Sequence, residues 1–143
     1  MMQPESLTRN AKLANGISLF LGAIMLPFGV LKFFDPINGW YRAQIELGGL
    51  PQISYYPGIF GEITVGLLFL LPLFFRKQLG ASQKTILAAA SAMLILMMIV
   101  AVYVHLQPAV PATVLPLKIK PPFIPGFVMV LAATNLFMLA KEK

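Results

Sequence analysis

The chain has no cysteine and few charges. Only 11% of its 143 residues are charged, with five carboxylates against eleven lysines and arginines, and it holds a single histidine and a single tryptophan. Without cysteine there is no structural disulfide, no CxxC redox pair, no thiolate nucleophile and no cysteine-based metal site. One histidine cannot supply two axial ligands to a haem, and one histidine with five carboxylates and no HExxH motif gives no metal-site pattern. No glycine-rich phosphate loop precedes a helix. The net charge of +6 lacks the dense basic patch with interleaved aromatics that nucleic-acid binding requires, so nucleic acid is excluded as a partner.

What the chain does have is apolar length. It is 58% hydrophobic, with mean hydropathy +0.80, whereas a soluble domain carries about 25% charged residues. Four runs each approach the ~20 residues that cross ~30 Å of hydrocarbon. They cover residues 16–34 (GISLFLGAIMLPFGVLKFF), 57–75 (PGIFGEITVGLLFLLPLFF), 85–106 (TILAAASAMLILMMIVAVYVHL) and 123–140 (FIPGFVMVLAATNLFMLA). The expected fold is all-α: one integral membrane domain over residues 1–143, built as a four-transmembrane-helix bundle in contact with the lipid bilayer. Pro27 and Pro72 fall inside spans, where neighbouring helices re-satisfy the freed carbonyls. Arg9 and Lys12 precede the first span without a small-residue cleavage pattern, so it reads as a retained signal-anchor.

Basic residues set the expected direction. Arg9, Lys12, Arg76, Lys77, Lys84, Lys141 and Lys143 fall on one side of such a bundle; Lys32, Arg42, Lys118 and Lys120 fall on the other. This asymmetry places both termini in the cytoplasm and the protein in the cytoplasmic (inner) membrane. In the first outside connection, 35–56, Ile37, Tyr41 and Ile45 share one helical stripe while Asn38, Arg42 and Glu46 share the opposite one. That spacing predicts a short interfacial helix with Trp40 and Tyr41 at headgroup depth. The second, 107–122, carries five prolines, and the alternation in LPLKIKPP predicts an extended segment with Leu117 and Ile119 turned toward the bundle or lipid.

Intramembrane ionisable groups are costly and face protein or water. Counting ~1.5 Å per residue puts Lys32 about 24 Å along an outward-running helix, Glu62 about 7–8 Å below the outer face, and His105 about 30 Å along another outward-running helix. All three reach the outer third of the bundle. Glu62 is the most telling, because a carboxylate more than a turn inside an apolar run must be paired, hydrogen-bonded or protonated. Gly58, Gly61 and Gly66 turn its face toward another helix, and Asn135 offers a hydrogen bond across helices. Two readings of Glu62 follow: an ion pair with Lys32 that locks two helices, or a binding or proton-exchange site of Glu62, His105 and Lys32, roofed by Trp40 and Tyr41. A quinone head group, a sterol-like lipid or a partner's helix all suit that chemistry. No residue is singled out as catalytic.

The segments GVLKFF, PGIFGEITVGLLFLLP and AVYVHLQPAVP, carrying Gly29, Lys32, Gly61, Glu62 and His105 in successive spans, resemble the DoxX-like membrane proteins over about residues 16–140. The resemblance implies a four-helix membrane bundle. It also implies a role among subunits associated with thiosulfate:quinone oxidation, proteins linked to redox stress, or assembly chaperones such as the animal relatives that serve nicotinic receptors. A cysteine-dependent membrane redox family of similar topology shares no usable chemistry with this cysteine-free chain. The expected function is an accessory or assembly subunit of a larger membrane complex. The alternatives are a quinone-linked oxidoreductase subunit, using Glu62 and His105 for proton exchange, and a lipid-binding bundle.

Overall fold

The computed structural model describes residues 8–142; Lys143, counted above among the basic residues, lies outside them. The chain is 81% helical, with no strand among the described residues. Four long helices form the body: α1 (Arg9–Leu31), α3 (Tyr55–Phe74), α5 (Ser82–Leu106) and α6 (Phe123–Ala140). Two shorter ones, α2 (Ile37–Leu47) and α4 (Arg76–Leu79), lie in the connections. All four long helices are long and apolar enough to cross a membrane, and they leave large side chains such as Leu96, Val130 and Phe137 exposed. Uncovered apolar exteriors on this scale belong in lipid, and the protein is an integral membrane protein.

Each helix runs opposite to its predecessor around the ring, and the packing order is α1, α3, α5, α6 and back to α1. Leu21, Val65, Phe69, Leu94 and Ala132 meet along the axis. The α1–α3 seam is the tightest. A Cβ added at Gly66 would stand 2.7 Å from the backbone nitrogen of Leu26, so only glycine allows these two backbones to approach so closely. Gly29 answers from α1, where a Cβ would stand 3.0 Å from the backbone nitrogen of Ile63.

The helix bounds follow local chemistry. α1 starts where the Thr8 side chain accepts a hydrogen bond from the Ala11 amide, well before the apolar run that predicted residues 16–34. It ends at Leu31, and Lys32 is its C-cap residue. α3 and α5 also begin a few residues earlier than the apolar runs, and α6 coincides with its run. At the end of the bundle that carries both termini, Thr8 Oγ1 donates to the Glu142 carboxylate and Lys84 Nζ donates to the Glu142 carbonyl. That contact gathers the starts of α1 and α5 with the end of α6.

Midway along the bundle, Asn135 is fully buried and its Nδ2 donates to Ser18 Oγ at 2.9 Å and to Ser91 Oγ at 3.0 Å. This joins α6 to α1 and α5 where water is absent. Such bonds contribute modestly in bilayers, because the separated helices find other partners. A double-mutant cycle of Asn135→Leu with Ser91→Ala, read by unfolding in mixed micelles, should therefore give a coupling of about 0.6–1.7 kcal/mol. A coupling of zero would remove the cross-helix role of Asn135.

The prolines of residues 107–122 break regular helix, yet the segment is not extended. It folds into two 3₁₀ turns, Ala112–Val114 and Pro116–Lys118. Leu117 and Lys118 take left-handed backbone angles, φ 52° and 57°. An isolated strand has no partner for its amides, whereas each short turn closes its own hydrogen bond. Val110 and Leu115 fill the interior, while Leu117 is 82% exposed, which leaves lipid rather than the bundle as the side it can face.

Candidate functional site

Opposite the termini, the ends of the four long helices surround a cavity of about 710 Å³. α2 and the 107–122 connection close over it. Its walls are almost wholly apolar, built from residues such as Met25, Ile45, Met98, Ala101 and Val128. Lys32, Trp40, Tyr41, Gln44, Glu62 and His105 interrupt them. All five candidate binding residues read from the sequence thus face one space.

Lys32 and Glu62 form the polar centre. Lys32 Nζ donates to Glu62 Oε1 at 2.5 Å, and each side chain is only 13% exposed. The pairing follows from topology. Lys32 follows the last residue of α1 while Glu62 sits two turns into the antiparallel α3, and the α1–α3 seam brings them level. The lysine does not snorkel away from the bundle. Its ammonium also lies 4.2 Å from the centre of the Tyr41 ring, a cation–π contact. The ammonium binds Glu62 through Oε1 alone, and Glu62 Oε2 is buried without a hydrogen-bond partner among the described residues.

α2 forms the lid that its stripe predicts. Tyr41 and Ile45 are buried and Ile37 is half-buried, while Arg42 and Glu46 are exposed. Asn38 departs from the expected polar face. It turns half inward, and its Nδ2 donates to the Lys32 carbonyl at 2.8 Å and to Tyr55 Oη at 2.5 Å. Tyr41 Oη donates to the carbonyl of Tyr55 at 3.2 Å. Burial, then the negative charge of Glu62, then Tyr55, hold the Tyr41 phenol well above its ordinary pKa, so it remains a protonated donor. Trp40 lines the cavity from the same helix but stays 38% exposed.

The expected packing glycines divide by role. Gly66 permits the α1–α3 approach. Gly58 instead makes room for α2, since a Cβ there would fall 1.7 Å from Tyr41 Oη. Gly61 faces the flexible end of Met97 at 3.3 Å, so it is not a close-approach position.

His105 ends α5 and is 4% exposed. Its Nδ1 lies 3.1 Å from the Lys120 carbonyl, which can only accept, so Nδ1 carries the proton. In the neutral ring Nε2 is then an acceptor. Lys120 turns back to donate to the carbonyls of Gln107 and Val110, both at 2.5 Å. Gln44 Nε2 donates across to the Val114 carbonyl at 2.5 Å, tying the lid to the second connection. The sequence reading missed the structural roles of Asn38, Gln44 and Lys120. Gln44 follows Tyr41 by three residues and so adjoins its face, a usable signal. For Lys120, inside a proline-rich turn, periodicity offers none.

Among the described residues no cluster of three histidines or carboxylates could hold a metal ion. The arrangement can accept an elongated apolar molecule with one small polar end. Comparison of the chain with family models, curated proteins and solved structures finds no match.

Proposed function

We propose that this DoxX-like protein of the cytoplasmic membrane binds an amphiphile, such as a lipid or a quinone. The tail lies among the apolar walls and the polar head against Lys32, Glu62 and His105. The cavity carries this reading: about 710 Å³ of mainly apolar space with its polar groups gathered in a few side chains. That is the size and character of a small-molecule site. A fold maintained only by packing has no use for such a void, because unfilled space forfeits dispersion contacts.

The chain carries no residue set for a redox centre of its own, so a quinone bound here exchanges electrons with a partner. With a quinone as occupant, the protein would serve as an accessory subunit to a larger membrane complex. The basic residues favour both termini in the cytoplasm. Two of the four opposing charges support this further, because Lys32 is spent on Glu62 and Lys120 on backbone carbonyls. The cavity then opens at outer-leaflet depth.

Mild-detergent purification followed by mass spectrometry of bound small molecules tests the reading. One amphiphile class should co-purify near one per chain and be lost from Ala101→Phe, which fills the cavity from α5. If nothing co-purifies, or if the filled variant retains the same molecule, the proposal fails.

A further inference from the structure

The polar groups of the cavity specify the head of its occupant more closely than its volume does. This inference rests on the binding role proposed above. Lys32 and Glu62 cancel each other's charge, and no other lysine, arginine or carboxylate lines the cavity among the described residues. An anionic or cationic head would therefore enter an apolar space with no countercharge left to meet it.

The hydrogen-bonding inventory adds a second constraint. Glu62 Oε2 is a buried carboxylate oxygen with no donor among the described residues. Glu62 lines the cavity, and the last torsion of a glutamate is broad, which lets the carboxylate turn this oxygen toward an occupant. His105 has its donor, Nδ1–H, committed to the Lys120 carbonyl, which leaves an acceptor on the neutral ring. Gln44 has one amide N–H committed to Val114, which leaves its second N–H and its carbonyl oxygen. The Tyr41 hydroxyl points its proton at the Tyr55 carbonyl. Donors remain on the Ser54 hydroxyl, the second Gln44 N–H, the Trp40 indole and the Lys32 ammonium, but among the described residues that line the cavity only Glu62 Oε2 is a buried side-chain atom with no hydrogen-bond partner.

We infer that the cavity selects an uncharged amphiphile whose head donates a hydrogen bond, that is, a hydroxyl-bearing lipid or a quinol. The head's O–H goes to Glu62, and the ligand's own oxygen accepts from Lys32. A fatty acid anion brings charge, and an ether or an oxidised quinone brings only acceptors.

Trp40 is the sole tryptophan and lines the cavity, so its fluorescence reports occupancy directly. Full-length protein in nanodiscs is titrated with four chain-matched probes: a long-chain primary alcohol, its methyl ether, the corresponding fatty acid, and a monoacylglycerol. A short-tailed benzoquinol and its oxidised quinone complete the set and separate aromatic from aliphatic heads. The alcohol, or the quinol over its quinone, should bind at least about tenfold tighter than the acceptor-only counterpart, the lower range for a hydrogen bond to a charged acceptor. Glu62→Gln should reduce that ratio toward one while the methyl ether still binds.

Equal affinities for alcohol and ether and for quinol and quinone, or a preference for the fatty acid, overturn the head-group inference and leave amphiphile binding standing. If no probe saturates, the binding role itself falls. The comparison among probes uses the unaltered protein, so it stands even if the Glu62 variant does not fold.

Discussion

Lys32→Met should destabilise the bundle by about 3–5 kcal/mol, the range for removing one partner of a buried ion pair. Glu62 remains 13% exposed beside apolar walls, and its one charged donor is gone. The loss exceeds the value of the pair itself, because it includes a carboxylate stranded without solvent. The double variant Lys32→Met with Glu62→Leu separates these contributions. Replacing both charges by apolar groups of similar volume is often neutral or stabilising, so the double variant should unfold near the wild-type midpoint. It should also lose its affinity for the proposed amphiphile. Unfolding in mixed micelles of rising denaturing detergent, followed by circular dichroism, measures the first effect, and Trp40 fluorescence the second. A single variant as stable as the double one would show that the pair is not coupled.

Gly66→Val should be the most damaging substitution outside the cavity. Even the first added carbon meets Leu26 backbone atoms at 2.7 and 2.8 Å, where no side chain can yield, and valine adds two more. Overpacking costs about 1–3 kcal/mol when side chains can move aside; against backbone, the loss should reach or pass the top of that range. The α1–α3 seam also sets the Lys32–Glu62 distance, so the variant should lose ligand binding with its stability. Gly16→Ala is the matched control, since nothing lies within 4 Å of its added carbon, and it should stay within about 0.5 kcal/mol of wild type. A Gly66→Val protein as stable as this control would contradict the close approach.

The fold was largely legible because bilayer thickness constrains it so strongly. The apolar run 123–140 coincides with α6. The run 16–34 locates the first crossing but not its helix, because hydropathy senses lipid and Thr8 capping sets the start of α1. The stripe of Ile37, Tyr41 and Ile45 located α2, since one apolar face at helical period has few alternatives. The 107–122 segment was misread because alternation of leucine, isoleucine and lysine predicts a strand only where a neighbouring strand can take its amides.

At the site, counting residues along each helix brought Lys32, Glu62 and His105 to one level. Level is fixed by rise per residue, but direction around the axis is not. That is why the sequence left the Lys32–Glu62 ion pair and a site shared with His105 as alternative readings, whereas the structure holds both the pair and one cavity that all three line. The packing role of Gly29 on the α1 side of the close seam escaped for the same reason, since only its position against the Ile63 backbone reveals it.

The make-up of the cavity wall has a consequence for how the protein matures. Ile124, Pro125 and Val128 belong to α6, which leaves the ribosome after the other three long helices described, and they line the space that Lys32 and Glu62 enter from α1 and α3. Until that helix is inserted, the cavity lacks a wall. Occupancy therefore requires all four long helices, and the proposed amphiphile, by binding there, would draw nascent bundles toward completion by mass action. Supplying or withholding it during synthesis would set how much protein survives quality control in the membrane.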